Sequence, residues 1–206
     1  MAKDMFPQQE EIPMQLGSTA DLIKTGKSVV RRYIFYTSTI STLKSKSSDV
    51  ARPSRVEVVS ALIWKSFMAA SLANGKSTSL LTQTLDLRRR AQPPFTQECF
   101  GNFLTVAPAT AANDTNADLG TLVGKMRDSI TKIDDDYINR MAGDGGLMGY
   151  YENLQLTWAD FSPEFDILPI SSLCGLDLYS VDFGWGKPVW FSKCDLGNEA
   201  EVWNRE

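Results

Sequence analysis

Histidine is absent from all 206 residues of this chain. With it goes the side chain that most often acts as a general base near neutral pH, and the usual nitrogen ligand of a zinc site. Cysteine is scarce. Cys99, Cys174 and Cys194 make an odd count with no C-x-x-C spacing. That pattern fits reduced thiols in a cytoplasmic protein, used as small buried apolar side chains, and it leaves no metal cage. A nucleophilic cysteine would need an activating histidine or another cation beside it. Basic charge is not in excess, since 21 Lys and Arg stand against 25 Asp and Glu, a net charge of −4. Nothing there suggests a nucleic-acid surface. No apolar run approaches the roughly 20 residues that span a bilayer. The opening Met1-Ala2-Lys3-Asp4-Met5 leads into no apolar h-region of a secretory signal. Neither G-x-G-x-x-G nor a Gly-Lys-Ser/Thr phosphate loop is present, and no repeat is visible. What remains is the length and composition of one globular domain, with 43% hydrophobic residues to build its core.

Residues 1–27 lack hydrophobic periodicity and carry Pro7, Pro13, Gly17 and Gly26, so they read as an extended lead-in. The β-branched and aromatic run at 28–36 predicts a strand, with a short helix around 40–46. Ser54 and Glu57 have the spacing of a capping box. Behind them Val56, Val59, Ile63, Phe67 and Ala70 recur at helical spacing until Asn74-Gly75, where a glycine can close the helix. Strands are expected at 78–87, 101–109, 167–173 and 189–191, and a helix at 151–161. A second long helix should run from 117 to about 137 on Leu119, Leu122, Val123, Met126, Ile130 and Ile133. Asp134, Asp135 and Asp136 then form either a solvated face or, with further ligands, a cation site. Mixed helices and strands imply an α/β or α+β arrangement around one sheet.

Three polar motifs remain. Arg88-Arg89-Arg90 follows a strand, either as a phosphate clamp or with one arginine in a buried bidentate carboxylate pair. Gly101-Asn102 reads as a tight turn. In Asp182-Phe183-Gly184-Trp185-Gly186 the two glycines permit a turn that side chains forbid, Phe183 and Trp185 offer large apolar area to bury, and Asp182 can pair with Arg88 or Arg90.

Taken in order, Ser54 to Lys65, Asp86-Leu87-Arg88-Arg89-Arg90 with Pro93-Pro94, Phe100-Gly101-Asn102, and Asp182 to Gly186 with Lys187-Pro188 resemble the second half of a plant BAHD acyltransferase, ending in its DFGWG signature. The resemblance spans about residues 25–192. It implies a mixed sheet flanked by helices, one of two similar domains that enclose the active site between them in the chloramphenicol acetyltransferase-like fold. Residues 1–27 then resemble the interdomain crossover and 28–206 the C-terminal domain, shortened at its end, with Met1 a start inside a truncated gene or gene model. The stretch 171–188 is closer to the alkaloid- and ester-forming branches than to the lignin-type enzymes.

Family chemistry moves an acyl group from acyl-CoA, its co-substrate, to an alcohol or amine of a specialised metabolite, with His-x-x-x-Asp supplying the base. That motif cannot occur here, so the resemblance implies no catalytic residue in this chain. Asp160, Asp182 or a cysteine could be imagined in its place, but nothing in the sequence supports the exchange. The resemblance places Ser54 and Arg55 near coenzyme A, where a helix N-terminus presents N–H groups to phosphate; the alternative is that Ser54 is only a cap. It places Asn102, Ser171 and Leu173 on the substrate channel, and makes DFGWG a structural motif. Leu173 stands where the family often has a tryptophan, and it cannot donate that indole's hydrogen bond. No metal and no tightly bound cofactor are expected, and neither nucleic acid nor membrane as partner. Self-association through the face left by the missing domain is expected instead. A non-catalytic binding module or truncated pseudo-enzyme is the alternative reading.

Overall fold

β1 (Thr78–Asp86) is the strand around which the other elements are laid, and its residues 79–83 are all buried. The computed structural model describes residues 29–96, 99–142, 146, 165–191 and 200–202. Within them β1 lies between β2 (Leu104–Ala112), antiparallel to it, and β3 (Phe165–Ser172), parallel to it. β4 (Ala200–Val202) extends the sheet in parallel beyond β3, for an order β2-β1-β3-β4. The register sets Ala109, Leu81 and Leu168 side by side, and likewise Ala111, Ser79 and Asp166. Because side chains alternate along a strand, these rows share one face, and helices cover it. The small residues of β2, Ala107, Ala109 and Ala111, let the helix layer approach closely.

Helix α2 (Arg55–Ala73) is the main element of that layer. Its length and composition would suffice to cross a membrane, yet its apolar surface is taken up by the domain's own core. Val58, Ala61, Trp64 and Met68 are buried at helical spacing. The expected stripe is therefore rotated: Val59 is buried, Val56, Ile63 and Phe67 are half-buried, and Ala70 is exposed. Trp64 drives the rotation, as the largest fully buried side chain with an indole N–H that must find an acceptor. It donates to Ser79 Oγ at 2.8 Å. Ser71, about two turns on, donates to the buried carboxylate of Asp166 at 2.8 Å.

Helix α3 (Leu119–Thr131) lies beside α2 and buries the expected Leu119, Leu122, Val123 and Met126. It ends at Lys132 and does not reach Tyr137 as one helix. Asp134 accepts the Tyr137 N–H at 2.8 Å and starts a separate helix α4 (Asp135–Met141). A side-chain cap satisfies an N–H that a continuing helix would have bonded internally, so the cap defines a new start. The three aspartates form the expected solvated face, Asp134 and Asp136 exposed and Asp135 half-buried, and the described residues hold no group of carboxylates placed for a metal ion. Asp134 caps, and Asp135 accepts from Gln92 N and Asn139 Nδ2.

Two expected strands do not form. Residues 29–36 are extended without pairing, and Val29, Val30, Tyr33, Ile34 and Tyr36 are exposed. They lead into helix α1 (Thr37–Ser45). Val189, Trp190 and Phe191 lie outside the sheet, where Arg32 sits 4.5 Å over the Trp190 ring. Strand propensity measures fit to a packed, half-buried surface, and neither segment has one. The helix expected at 151–161 falls outside the described residues, as do Asp160 and Cys194.

Candidate functional site

The short connection of residues 74–77 makes β1 return alongside α2, bringing the start of α2 and the carboxyl end of β1 to the same end of the domain. At that start, Ser54 Oγ accepts the Glu57 N–H at 3.2 Å, and a Glu57 carboxylate oxygen accepts the Ser54 N–H at 2.6 Å. The expected capping box is thus formed. Arg127 of α3 adds a two-pronged ion pair to Glu57, at 2.6 and 3.0 Å, and its remaining N–H groups reach Ala51 O and Arg52 O. Burial pushes the Glu57 carboxyl up, but the hydrogen bonds from Arg127 and Ser54 and the charge of Arg127 outweigh it and hold the carboxyl below its ordinary value. The Glu57 hydrogen bond raises Arg127 in turn. Ser54 is therefore a cap with its hydroxyl engaged, and the helix end already carries a carboxylate. Arg55 is exposed beside it.

Asp182 is not the partner of Arg88 or Arg90. Its carboxylate accepts the N–H of Gly184 at 2.7 Å and of Gly186 at 3.0 Å. Those backbone bonds, Gly184 first and then Gly186, hold the exposed Asp182 carboxyl below its ordinary value. The turn needs both glycines, whose φ angles are +99° and +106°. A carboxylate satisfied within five residues has no call for a distant arginine. Nor are the aromatics buried: Phe183 is 71% exposed and Trp185 84%, the two rings stacked on each other at 5.7 Å. Apolar area offered by sequence is buried only where a neighbouring element meets it, and none of the described residues does so here.

The arginines have other uses. Arg88 pairs with Asp86 two residues back, at 3.0 Å, and its guanidinium also donates to Cys99 O at 3.1 Å and to Gly101 O. Arg90 donates to Ile130 O and Ile133 O at 3.3 and 2.9 Å, satisfying carbonyls at the end of α3. Both are committed inside the fold, which answers against a phosphate clamp. The spacing of the arginines gave no hint of these carbonyl partners, because carbonyl positions depend on where α3 and the 99–101 segment come to rest.

Asn102 is exposed at the turn before β2, Ser171 is half-buried near the end of β3, and Leu173 follows it. Ser171 Oγ lies 3.2 Å from Thr84 Oγ1 on the sheet face opposite the helices. Asn102 thus precedes the Leu104–Asp86 pair at the carboxyl end of β1, while Ser171 and Leu173 lie at and just beyond the carboxyl end of β3 on the other side of β1, the edge of a sheet where ligands of open α/β folds commonly bind. Ser54 and Arg55 lie toward the same end but in the helix layer. Thr84 carried no signal in the sequence, since a strand threonine on a sheet face has no motif.

Residues 2–199 match a family model described as "Transferase family". The chain is 38% identical over 200 residues to the epi-neemfruitin B 7-O-acetyltransferase of Melia azedarach, a match covering 93% of this chain and 44% of that protein. It is 33% identical over 191 residues to stemmadenine O-acetyltransferase of Catharanthus roseus, over 89% of this chain and 41% of that one. Among solved structures, vinorine synthase superposes with a TM-score of 0.66 at 27% identity, over 82% of this chain and 38% of that chain. TRI101 of F. graminearum, complexed with ethyl coenzyme A, shares the fold at a TM-score of 0.59 and 20% identity. The chain spans less than half the length of these relatives.

Proposed function

The chain belongs to the Transferase family, the BAHD acyltransferases, and from that premise we propose that it is the C-terminal half of an acyl-CoA-dependent acyltransferase of plant specialised metabolism. It supplies the wall of an acyl-transfer site without supplying the base. In the whole reaction a base takes the acceptor's proton, the acceptor oxygen or nitrogen attacks the thioester carbonyl, the carbon–sulfur bond breaks, and coenzyme A leaves as the thiol. Asn102, Ser171 and Leu173 are this chain's contribution at the acyl and acceptor end. The observation that supports the reading is the family match over residues 2–199, together with the position of Ser171 and Leu173 at the end of β3 and of Asn102 before the Leu104–Asp86 pair. Leu173 offers packing there and no donor.

Coenzyme A would meet the exposed Arg55 at the start of α2, with Ser54 shaping that start as its cap. Half of such a site lies beyond this chain, so affinity should be weak, about millimolar or −4 kcal/mol. Acyl-CoA is a co-substrate here and nothing is held tightly. The scarce cysteines, an odd count with no C-x-x-C spacing, and the acidic balance suit a cytoplasmic protein with neither nucleic acid nor membrane as partner. Incubation with acetyl-CoA and a panel of alcohols should give turnover near background, because a positioned base is worth roughly 10²–10⁴-fold. Turnover at rates usual for enzymes would overturn the assignment of this chain as a half-site without a base.

A second reading, a non-catalytic interaction module, is favoured by one feature. The exposed stacked pair Phe183 and Trp185 stands on a turn already held by Asp182, the kind of rigid aromatic anchor that carries binding energy at interfaces.

A further inference from the structure

We propose that Arg88 is the positioning residue of the Phe100-Gly101-Asn102 turn, and through it of Asn102 at the acyl end of the site. The proposal rests on the acyltransferase reading for the role of Asn102 but on geometry alone for the clamp. The chain leaves β1 at Asp86 and does not pair with it again until Leu104, directly opposite. The intervening excursion is closed at its base by Leu87 N–H to Phe103 O, at 3.1 Å, and by the edge-on contact of Phe95 with Phe103. Asp135 accepts the Gln92 N–H and Thr96 O accepts the Cys99 N–H, and among the described residues the side chain that reaches the 99–101 carbonyls from the end of β1 is Arg88. The Arg88 fork reaches Cys99 O and Gly101 O, two carbonyls on the turn, while Asp86 Oδ1 accepts from both its guanidinium and its backbone N–H.

This arrangement is directional. A guanidinium presents its donors in one rigid plane, so three acceptors fix its orientation and it fixes theirs. The Arg88 side chain is only 16% exposed, against 51% for Asp86, so it lies between the strand end and the turn and not out in solvent. Gly101 sits at φ +136°, a conformation open to glycine and strained for other residues. Immediately after this anchored glycine comes Asn102, exposed. A lysine at 88 would keep the charge yet could not span both carbonyls and the carboxylate in one plane.

The test uses the whole chain labelled with 15N, as wild type, Arg88→Ala, Arg88→Lys and the control Arg89→Ala at an exposed neighbouring position. Amide exchange is followed at Cys99 and Phe103, the hydrogen-bonded amides on either side of the turn, and acetyl-CoA is titrated while the Asn102 amide is watched. Arg88→Ala should speed exchange at the turn by about tenfold or more, with exchange in α2 and β1 unchanged, and should abolish the acetyl-CoA shift at Asn102. Arg88→Lys should fall between, and Arg89→Ala should match wild type. Should Arg88→Ala fail to fold, the lysine variant decides by the same readouts. An unaltered turn in the folded Arg88 variants overturns the clamp. An Asn102 shift that survives a loosened turn overturns the positioning role. Absence of any acetyl-CoA shift in the wild type overturns the acyltransferase reading of Asn102 and the functional half of the proposal with it, even where the turn loosens as expected.

Discussion

Gly120 lies in the first turn of α3 with the Asp49 carboxylate over the space that a Cβ would fill. An acidic group there suits the positive end of the helix. An alanine at 120 must therefore displace the Asp49 carboxylate, although alanine is intrinsically better inside a helix by about 1 kcal/mol. Gly120→Ala should therefore destabilise the domain by about 1–3 kcal/mol, the usual range for overpacking. In an Asp49→Ala background the clash is gone, and the same change should become neutral or stabilising. Urea unfolding of the four variants reads the coupling; equal costs in both backgrounds would mean that Asp49 yields freely. Arg88 and Arg90 make the same point from the other direction. Each looks like a surface cation in the sequence, and each is used to satisfy main-chain carbonyls.

At the scale of elements, α2 is started by a box and then tied to its neighbour. Ser54→Ala removes the acceptor for the Glu57 N–H and should cost about 1 kcal/mol, with α2 as the affected element. Glu57 adds a pH dependence. Its carboxyl is held below the ordinary value of 4.5 in the folded protein, so its stabilisation is complete above that value and is lost as pH falls through the lower folded one. Glu57→Gln keeps a box acceptor but loses the charge that Arg127 meets. The wild type should then be the more stable of the two at neutral pH, and the gap in melting temperature should close on acidification. A gap that stays constant from neutral to acidic pH would show that the ion pair contributes nothing. The Asp134 cap explains why two helices stand where periodicity suggests one: the apolar spacing runs on through 133, but a capped N–H at Tyr137 begins a new axis.

For the molecule as a whole, the exposed aromatics decide the expected behaviour in solution. Phe183 and Trp185 protrude on a turn pre-ordered by Asp182, and Trp190 is exposed nearby in the chain. Apolar side chains exposed together favour association, and little ordering entropy is lost when the turn is already fixed. The chain should self-associate in a concentration-dependent way, and Phe183→Ser with Trp185→Ser should weaken that association while leaving the melting temperature nearly unchanged. Sedimentation velocity across a concentration series checks this. A wild type that stays monomeric at the highest concentration reached would remove the support for an interaction module.

Local features of this chain could be read directly from the residues. The Ser54–Glu57 box, the end of α2 at Asn74-Gly75, the stripe of α3 and the strand at 78–86 all depend on contacts within a turn or two of the backbone, so the order of residues is sufficient to determine them. The ordered motifs likewise carried the family, since they record the chain's descent whatever its neighbours do. Contacts between distant segments were not legible. Which side of α2 is buried was settled by Trp64 finding Ser79, 15 residues on, and the partner of Arg88 by where 99–101 came to rest. Asp182 illustrates the competition: the sequence offers it two arginines far along the chain, and two amides within four residues reach it first. The run at 29–36 fails as a strand for the same reason in reverse, because a strand exists only where another lies beside it. Sequence alone determined the elements held by local contacts, and the lineage. Tertiary structure decided which faces, partners and sheet edges those elements use, because burial and long-range hydrogen bonds are properties of what is brought near and not of the chain segment itself.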